Sequence, residues 1–274
     1  MRGSIVVTGA STGIGAAIAG RLSEAGYRVF GTVRRPGDAA GLERLGAVAV
    51  RMDVTDGESI RAARNEIERQ LGTEPLVGVV NNAGITAAGP LEHLPLDELR
   101  RVLEVNVVGL VAVTQAFLPA LRRSRGHLIN IGSVSGRVAM PFSGPYAASK
   151  FAVEAISDSL RRELLPSGIR VVLIQPGSVA TPIWDKVAGI DLHQYRDTPY
   201  APLLPIVRER TIKSGQHSLP ADRVAVAVLT ALAMSRPPTR MLVARRPLAT
   251  RLMRILPDRW IDRRVAKALW NLAP

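Results

Sequence analysis

The sequence predicts an α/β fold: a single doubly wound parallel sheet of seven strands with helices on both faces. Three observations predict it. Short β-branched apolar runs alternate with stretches of helical period along most of the chain. The first strand runs into a glycine-rich turn that opens a helix. Two later strands end in small polar residues, so chemistry-bearing side chains gather at one edge of the sheet.

The elements follow in order. Ile5–Thr8 reads as the first strand, and Gly13–Ala25 as a helix closed by Gly26. Tyr27–Val33 and Ala47–Met52 are the next strands, followed by an amphipathic helix over Glu58–Leu71. Leu76–Val80 is a strand, Leu96–Arg123 a long helical region, and Gly126–Ile131 a strand. Pro145–Leu165 is helix, Ile169–Ile174 strand, Asp222–Met234 helix and Met241–Ala244 the last strand. The unbroken rhythm, without repeat or low-complexity linker, makes residues 1–274 one domain. Two segments leave the rhythm. Residues 180–218, rich in proline and apolar residues, have the character of a lid, and residues 245–274 form a basic tail.

Composition excludes several functions. The 47% hydrophobic content supports a sizeable core. There is no cysteine, so disulfides and thiolate metal sites are ruled out. His93, His127, His193 and His217 are scattered and lack ligand spacing, so no metal is expected. The net charge is +13, but +8 of it lies in residues 236–274, and no basic–aromatic interleaving appears. Nucleic acid is therefore not an expected partner. The first strand begins at Ile5, leaving no room for a signal peptide, and no run of 18 apolar residues occurs. A cytoplasmic location is expected, with the tail offering peripheral contact with a membrane.

Five local patterns carry chemistry. Thr8-Gly9-Ala10-Ser11-Thr12-Gly13-Ile14-Gly15 lies between the first strand and first helix. Glycines there let backbone N–H groups approach a pyrophosphate at a helix N-terminus, the context of a Rossmann-like dinucleotide site. The spacing is G-x-x-x-G-x-G rather than G-x-G-x-x-G. Tyr146 and Lys150 stand at i and i+4 on one helix face. An ammonium beside a phenol favours phenolate and draws the tyrosine pKa down from ~10, as a general acid/base requires. Ser133, just past a strand end, is placed to hydrogen-bond a substrate oxygen, with Ser135 as second candidate. Asn81-Asn82-Ala83-Gly84 closes another strand at the same edge. Asn106 interrupts an apolar helix, as either a satisfied core amide or a site residue.

Together these patterns resemble the short-chain dehydrogenase/reductase family over roughly residues 4–244. The resemblance rests on TGxxxGIG, the Asp53 turn, NNAG, the in-helix Asn106, Ser133 and the YxxxK pair, completed by Pro176-Gly177-Ser178-Val179-Ala180-Thr181. The resemblance implies Tyr146 as acid/base, Lys150 lowering its pKa and binding the nicotinamide ribose, Ser133 orienting the substrate, and Asn106 holding a relay water. It implies cofactor contacts at Gly9, Ser11, Thr12, Gly13, Ile14, Gly15, Asp53, Val54, Asn82, Gly84, Tyr146, Lys150, Pro176, Gly177, Val179 and Thr181. It implies a homodimer or homotetramer packed through the helices at 96–123 and 145–165. The expected activity is interconversion of a carbonyl and an alcohol with a nicotinamide cofactor. A non-catalytic cofactor-binding regulator is the alternative from another class.

The cofactor preference is read from the second strand. It ends Thr32-Val33-Arg34-Arg35, with no acid to hold both ribose hydroxyls. Arg34, with Arg35 beside it, suits a 2′-phosphate, so NADP(H) is expected. For the substrate, Ile183, Trp184, Tyr195, Leu203 and Leu204 of the lid, with Met140 and Phe142, suit an apolar ligand of steroid, retinoid or long-chain type. Ketoacyl groups and small polar carbonyls are the alternative. In the tail, Ile261, Val265, Ala268, Leu269 and Leu272 share a helix face, Arg259, Arg263, Arg264 and Lys267 fall largely elsewhere, and Trp260 and Trp270 flank them. That pattern describes either an interfacial helix on an anionic membrane or a helix packed on protein. The tail also resembles the extension of retinol- and hydroxysteroid-dehydrogenase-like members.

Overall fold

The computed structural model describes residues 2–182, 189, 191–216, 218–253 and 255–270. Seven parallel strands form one sheet: β1 Ser4–Val7, β2 Arg28–Val33, β3 Val48–Arg51, β4 Leu76–Asn81, β5 His127–Ile131, β6 Arg170–Pro176 and β7 Arg240–Val243. Their order is β3-β2-β1-β4-β5-β6-β7. The chain winds outward from β1 to β3, then returns to build β4 through β7 on the other side. The switch point between β1 and β4 leaves a crevice at the carboxyl ends of the strands.

The helices are α1 Gly13–Glu24, α2 Ala39–Glu43, α3 Gly57–Leu71, α4 Leu96–Leu103, α5 Gly109–Ser124, α6 Gly144–Glu163, α7 Leu204–Gln216, α8 Asp222–Ala233, α9 Pro247–Met253 and α10 Asp258–Trp270. The pleat sorts the strand residues by face. Ile5, Val7, Val80, Ile129 and Val172 pack with Ile18 and Leu22 of α1 and Val224 and Val228 of α8. Val6, Val79, Leu128 and Val171 pack with Ile67 of α3 and Val113 and Phe117 of α5. Both faces are dry, which is why the strands read as continuous apolar runs. Each fully buried Val, Leu or Ile contributes about 1.5–3 kcal/mol.

Helices α4 and α5 join through a π-helical turn, Glu104–Val108, that contains Asn106. The continuous stretch Leu96–Ser124 is long and apolar enough to cross a membrane by length and composition. Its Val113, Phe117, Ala120 and Leu121 are buried in the core under the sheet, so it packs as a core helix.

The lid differs from the irregular stretch read from the sequence. It contains a short 3-10 turn, His193–Tyr195, and the 13-residue α7. Pro205 is the second residue of α7, a first-turn position that suits proline, so proline density concealed a helix. A bridge between Val179 and Leu219 staples the two ends of the lid. In the tail, α10 starts where predicted, but α9 was unforeseen. Ile183, Trp184 and Leu272 lie outside the described residues.

Candidate active site

The glycine turn is held by the polar end of β4. Thr8 Oγ1 accepts from the backbone N–H groups of Asn82 and Ala83, each at 2.9 Å. Asn82 Nδ2 donates back to the carbonyls of Thr8 and Gly9 at 2.9 and 3.0 Å. These bonds leave no space for side chains. A Cβ on Gly15 would lie 2.2 Å from the Gly9 oxygen and 2.5 Å from Asn82 Nδ2. Gly9 and Gly13 both have positive φ, 61° and 58°. Thr12 flanks α1 in extended conformation, and its side chain does not cap the helix. The outcome is a backbone-lined concavity at an uncapped helix N-terminus, which fits a pyrophosphate. Asn82, predicted as a cofactor contact, spends its amide nitrogen on building this turn, and Gly84 sits against Asn106 Oδ1.

Ser133, Tyr146 and Lys150 meet at the carboxyl end of β5. Ser133 is buried, and its Oγ accepts from the Ser135 N–H at 3.0 Å. The same hydroxyl bonds to the Tyr146 side chain and draws its pKa down, but burial is the larger effect and leaves the phenol above its ordinary value. Lys150 is buried one turn on, its Nζ donating to the Ile131 carbonyl at 2.8 Å and lying 5.7 Å from the Tyr146 ring centre. Burial pushes Lys150 down to about 8. The expectation that Lys150 by itself brings the phenol pKa down is therefore corrected. Desolvation dominates at Tyr146, and the group seen to oppose it is Ser133. Ser135 supports Ser133 through its backbone N–H rather than competing with it.

Asn106 resolves toward the satisfied amide. Its Oδ1 accepts from Ile85 N at 2.8 Å, and its Nδ2 donates to Ile85 O and Ser149 Oγ, both at 2.9 Å. Ser149 Oγ in turn donates to the Tyr146 carbonyl at 2.7 Å. The side chain thus ties the segment after NNAG to Ser149 in the second turn of α6.

On the adenosine side, Arg34 stands exposed directly after β2. It lies close enough to Asp53 to help lower that carboxyl's pKa, after the larger effect of the Thr55 N–H that Asp53 accepts at 2.9 Å. Arg35 pairs with Asp38 at 3.3 Å, so Arg34 is the better placed of the two for a phosphate. Val54 packs on Gly109, where a Cβ would lie 2.8 Å from the Val54 oxygen. Ser11 and Ile14 are half-buried in the glycine turn. Beyond Pro176, Gly177 donates to the Val243 carbonyl at 2.9 Å. Thr181 leans on Gly13, 3.2 Å from where its Cβ would be, closing the base of the lid over the turn.

Within the lid the predicted apolar residues divide. Tyr195 and Leu204 are buried, with the Tyr195 hydroxyl directly over Gly89. Leu203 is half-buried, and Met140 is exposed. Tyr200 donates to Glu92 Oε2 at 3.0 Å and meets Phe142 edge-on at 5.8 Å. Sequence reasoning gave no role of their own to Thr8, Thr32 and Ser149, whose hydroxyls make several of the site's hydrogen bonds. Their only signal is a polar residue at the end of an apolar strand or helix turn.

The family model for short chain dehydrogenases matches residues 4–189. An NADPH-dependent 3-dehydrocapnine reductase from Ornithobacterium rhinotracheale is 38% identical over 276 residues, covering 97% of each chain. A 3-ketodihydrosphingosine reductase from Bacteroides thetaiotaomicron is 35% identical over 244 residues, 87% of each chain. Retinol dehydrogenase 5 from Homo sapiens is 40% identical over 183 residues, 65% of this chain and 57% of that one.

Proposed function

This chain belongs to the short-chain dehydrogenase family, and from that premise we propose that it is an NADP(H)-dependent oxidoreductase reducing the keto group of a long-chain apolar substrate. The observation that carries the reading is the meeting of Ser133, Tyr146 and Lys150 beside the glycine turn. The chain acts as one dinucleotide-binding and catalytic domain.

The bound nicotinamide supplies or accepts hydride. The backbone of Gly9 to Gly15, with Ser11, Thr12 and Ile14, would hold the pyrophosphate, Asp53 and Val54 would meet the adenine, and Pro176, Gly177, Val179 and Thr181 would meet the nicotinamide. The Ser133 hydroxyl orients the substrate oxygen. The Tyr146 hydroxyl hands that oxygen a proton in reduction and takes it back in oxidation. Burial raises the Tyr146 pKa, so the phenol carries at neutral pH the proton that reduction consumes. The Lys150 ammonium holds the ribose hydroxyls and stabilises charge developing on the phenol oxygen.

The long-chain reading rests on extent of likeness. The two reductases named above match over 97% and 87% of each chain, whereas the retinol dehydrogenase matches over 57% of its own length. Turnover of long-chain ketones, steroids, retinoids and small ketones with NADPH tests it. Long-chain ketones should give the highest kcat/KM, and a preference for small polar ketones would refute the substrate class.

Arg34 sets the cofactor preference in this reading. Exchange of Arg34 for Asp replaces a phosphate partner with a repelling carboxylate. The ratio of kcat/KM for NADPH over NADH should fall by roughly 10²-fold or more, the effect of losing about 3 kcal/mol of charge-assisted bonding. A wild-type enzyme preferring NADH would refute the assignment before any mutant is made.

The chain forms a homodimer or homotetramer in this reading. The groove between α5 and α6 is lined by Val111, Leu118, Ile156 and Leu160, and Val108 in the π-helical turn before α5 and Phe151 on α6 stand exposed. The tail makes weak contact with an anionic membrane. On α10, Ile261, Val265 and Leu269 are half-buried and Trp260 is exposed, and Leu248, Leu252 and Ile255 are exposed in the segment before it. Leu248 and Leu252 of α9, Ile255 of the following turn and Trp260 of α10 are the inserting group. Full-length protein should sediment with anionic vesicles at low salt, and a chain ending at Pro247 should not. Equal sedimentation of both would refute the role of the tail.

A further inference from the structure

We propose that Glu154 is a positioning residue that holds the Ser133 loop and the Pro176–Thr181 segment at the correct spacing from Tyr146 and Lys150. Tyr146, Lys150 and Glu154 follow one another at intervals of four along a single face of α6. The Glu154 side chain is only 6% exposed. Its Oε2 accepts from Arg137 Nε at 3.0 Å and Arg240 Nε at 2.9 Å. Its Oε1 accepts from Gln175 Nε2. Arg240 also reaches Asp158 at 2.9 Å, one turn further along α6.

The identity of these partners carries the argument. Arg137 lies four residues beyond Ser133 on the same loop. Gln175 immediately precedes Pro176-Gly177, where the chain leaves β6 for the nicotinamide side. Arg240 opens β7, whose Val243 carbonyl receives the Gly177 N–H. One carboxylate thus ties α6 to the Ser133 loop, the end of β6 and the start of β7. Gly136 makes the approach possible: a Cβ there would lie 2.7 Å from the Lys150 carbonyl and 3.1 Å from Glu154 Cγ. A buried charge cluster is a poor device for stability, because desolvation offsets much of the attraction. Its value here is geometric. A displacement of about 1 Å between reacting groups can lower rate 10²-fold.

The inference rests on the proposed activity, so wild-type turnover with NADPH is established first on whichever carbonyl is the best substrate. If wild type reduces none, the functional reading fails and not this one. Glu154→Gln keeps the shape but removes the charge, and turns amide hydrogens toward either the two arginines or the Gln175 amide. Its kcat should fall by roughly 10–10²-fold, with KM and the NADPH dissociation constant within about threefold of wild type. The exposed-side variant Arg137→Gln should reproduce the kcat loss and serves if Glu154→Gln does not fold. In the Glu154→Gln background, Ser133→Ala should lower kcat much less than it does in wild type, because both changes disable the same group. Unchanged kcat in both single variants, a loss residing in NADPH affinity, or additive effects with Ser133→Ala would each overturn the proposal.

Discussion

Replacing Tyr146 by phenylalanine is expected to lower kcat by about 10²–10⁴-fold, the range that general acid–base catalysis supplies. The change deletes one oxygen. The ring stays on α6 beside Lys150, so packing is retained. NADPH should bind with unchanged affinity, because the glycine turn is built by Thr8, Asn82 and Ala83, none of which touches Tyr146. The paired measurement, kcat by NADPH oxidation and Kd by fluorescence, therefore separates a lost proton donor from a disturbed cofactor site. Ser133→Ala should give a smaller loss of the same kind, since it removes an orienting bond and leaves the proton donor in place. A phenylalanine variant that turns over within a fewfold of wild type would remove Tyr146 from the mechanism.

The parts of the site that could be read from the sequence are those in which chemistry follows local spacing. Tyr146 and Lys150 are a turn apart on one helix, and the glycines from Gly9 to Gly15 lie within a single turn, so their juxtaposition needs no tertiary knowledge. The seven strands were legible because both faces of the sheet are dry, so each strand is an apolar run. Contacts between distant segments were not legible. Asn106 looks the same in sequence whether it holds a water or ties Ile85 to Ser149. Glu154 reads as an ordinary solvated helix residue, because Arg137, Gln175 and Arg240 reach it from three separate elements. The α7 helix was hidden by prolines that sit at its start and in the segment before it rather than inside it. The tail was read from periodicity alone, which locates a helix but not the side of it that other residues cover.

Lys150 gives the second large effect, and its pH dependence distinguishes its two roles. Lys150→Met is expected to lower kcat about 10²–10³-fold, the loss typical of one preorganised charge at a reacting oxygen. It should weaken NADPH binding as well, which Tyr146→Phe should not. Burial lowers the Lys150 pKa from 10.5 to about 8. The ammonium is therefore present below pH 8 and lost above it, and wild-type kcat for reduction should decline as pH rises through that value. Stability should respond in the opposite sense. Between about 8 and 10.5 the unfolded chain binds this proton more tightly than the folded one, so this group makes stability rise with pH. The Tm advantage of Lys150→Met over wild type, which reflects the cost of the buried charge, should then shrink across the same window. Falling kcat with a shrinking Tm gap identifies deprotonation of Lys150 rather than unfolding. A wild-type kcat that stays flat from pH 7 to 9.5, in an enzyme folded throughout, would mean that the lysine charge is not used in the rate-limiting step.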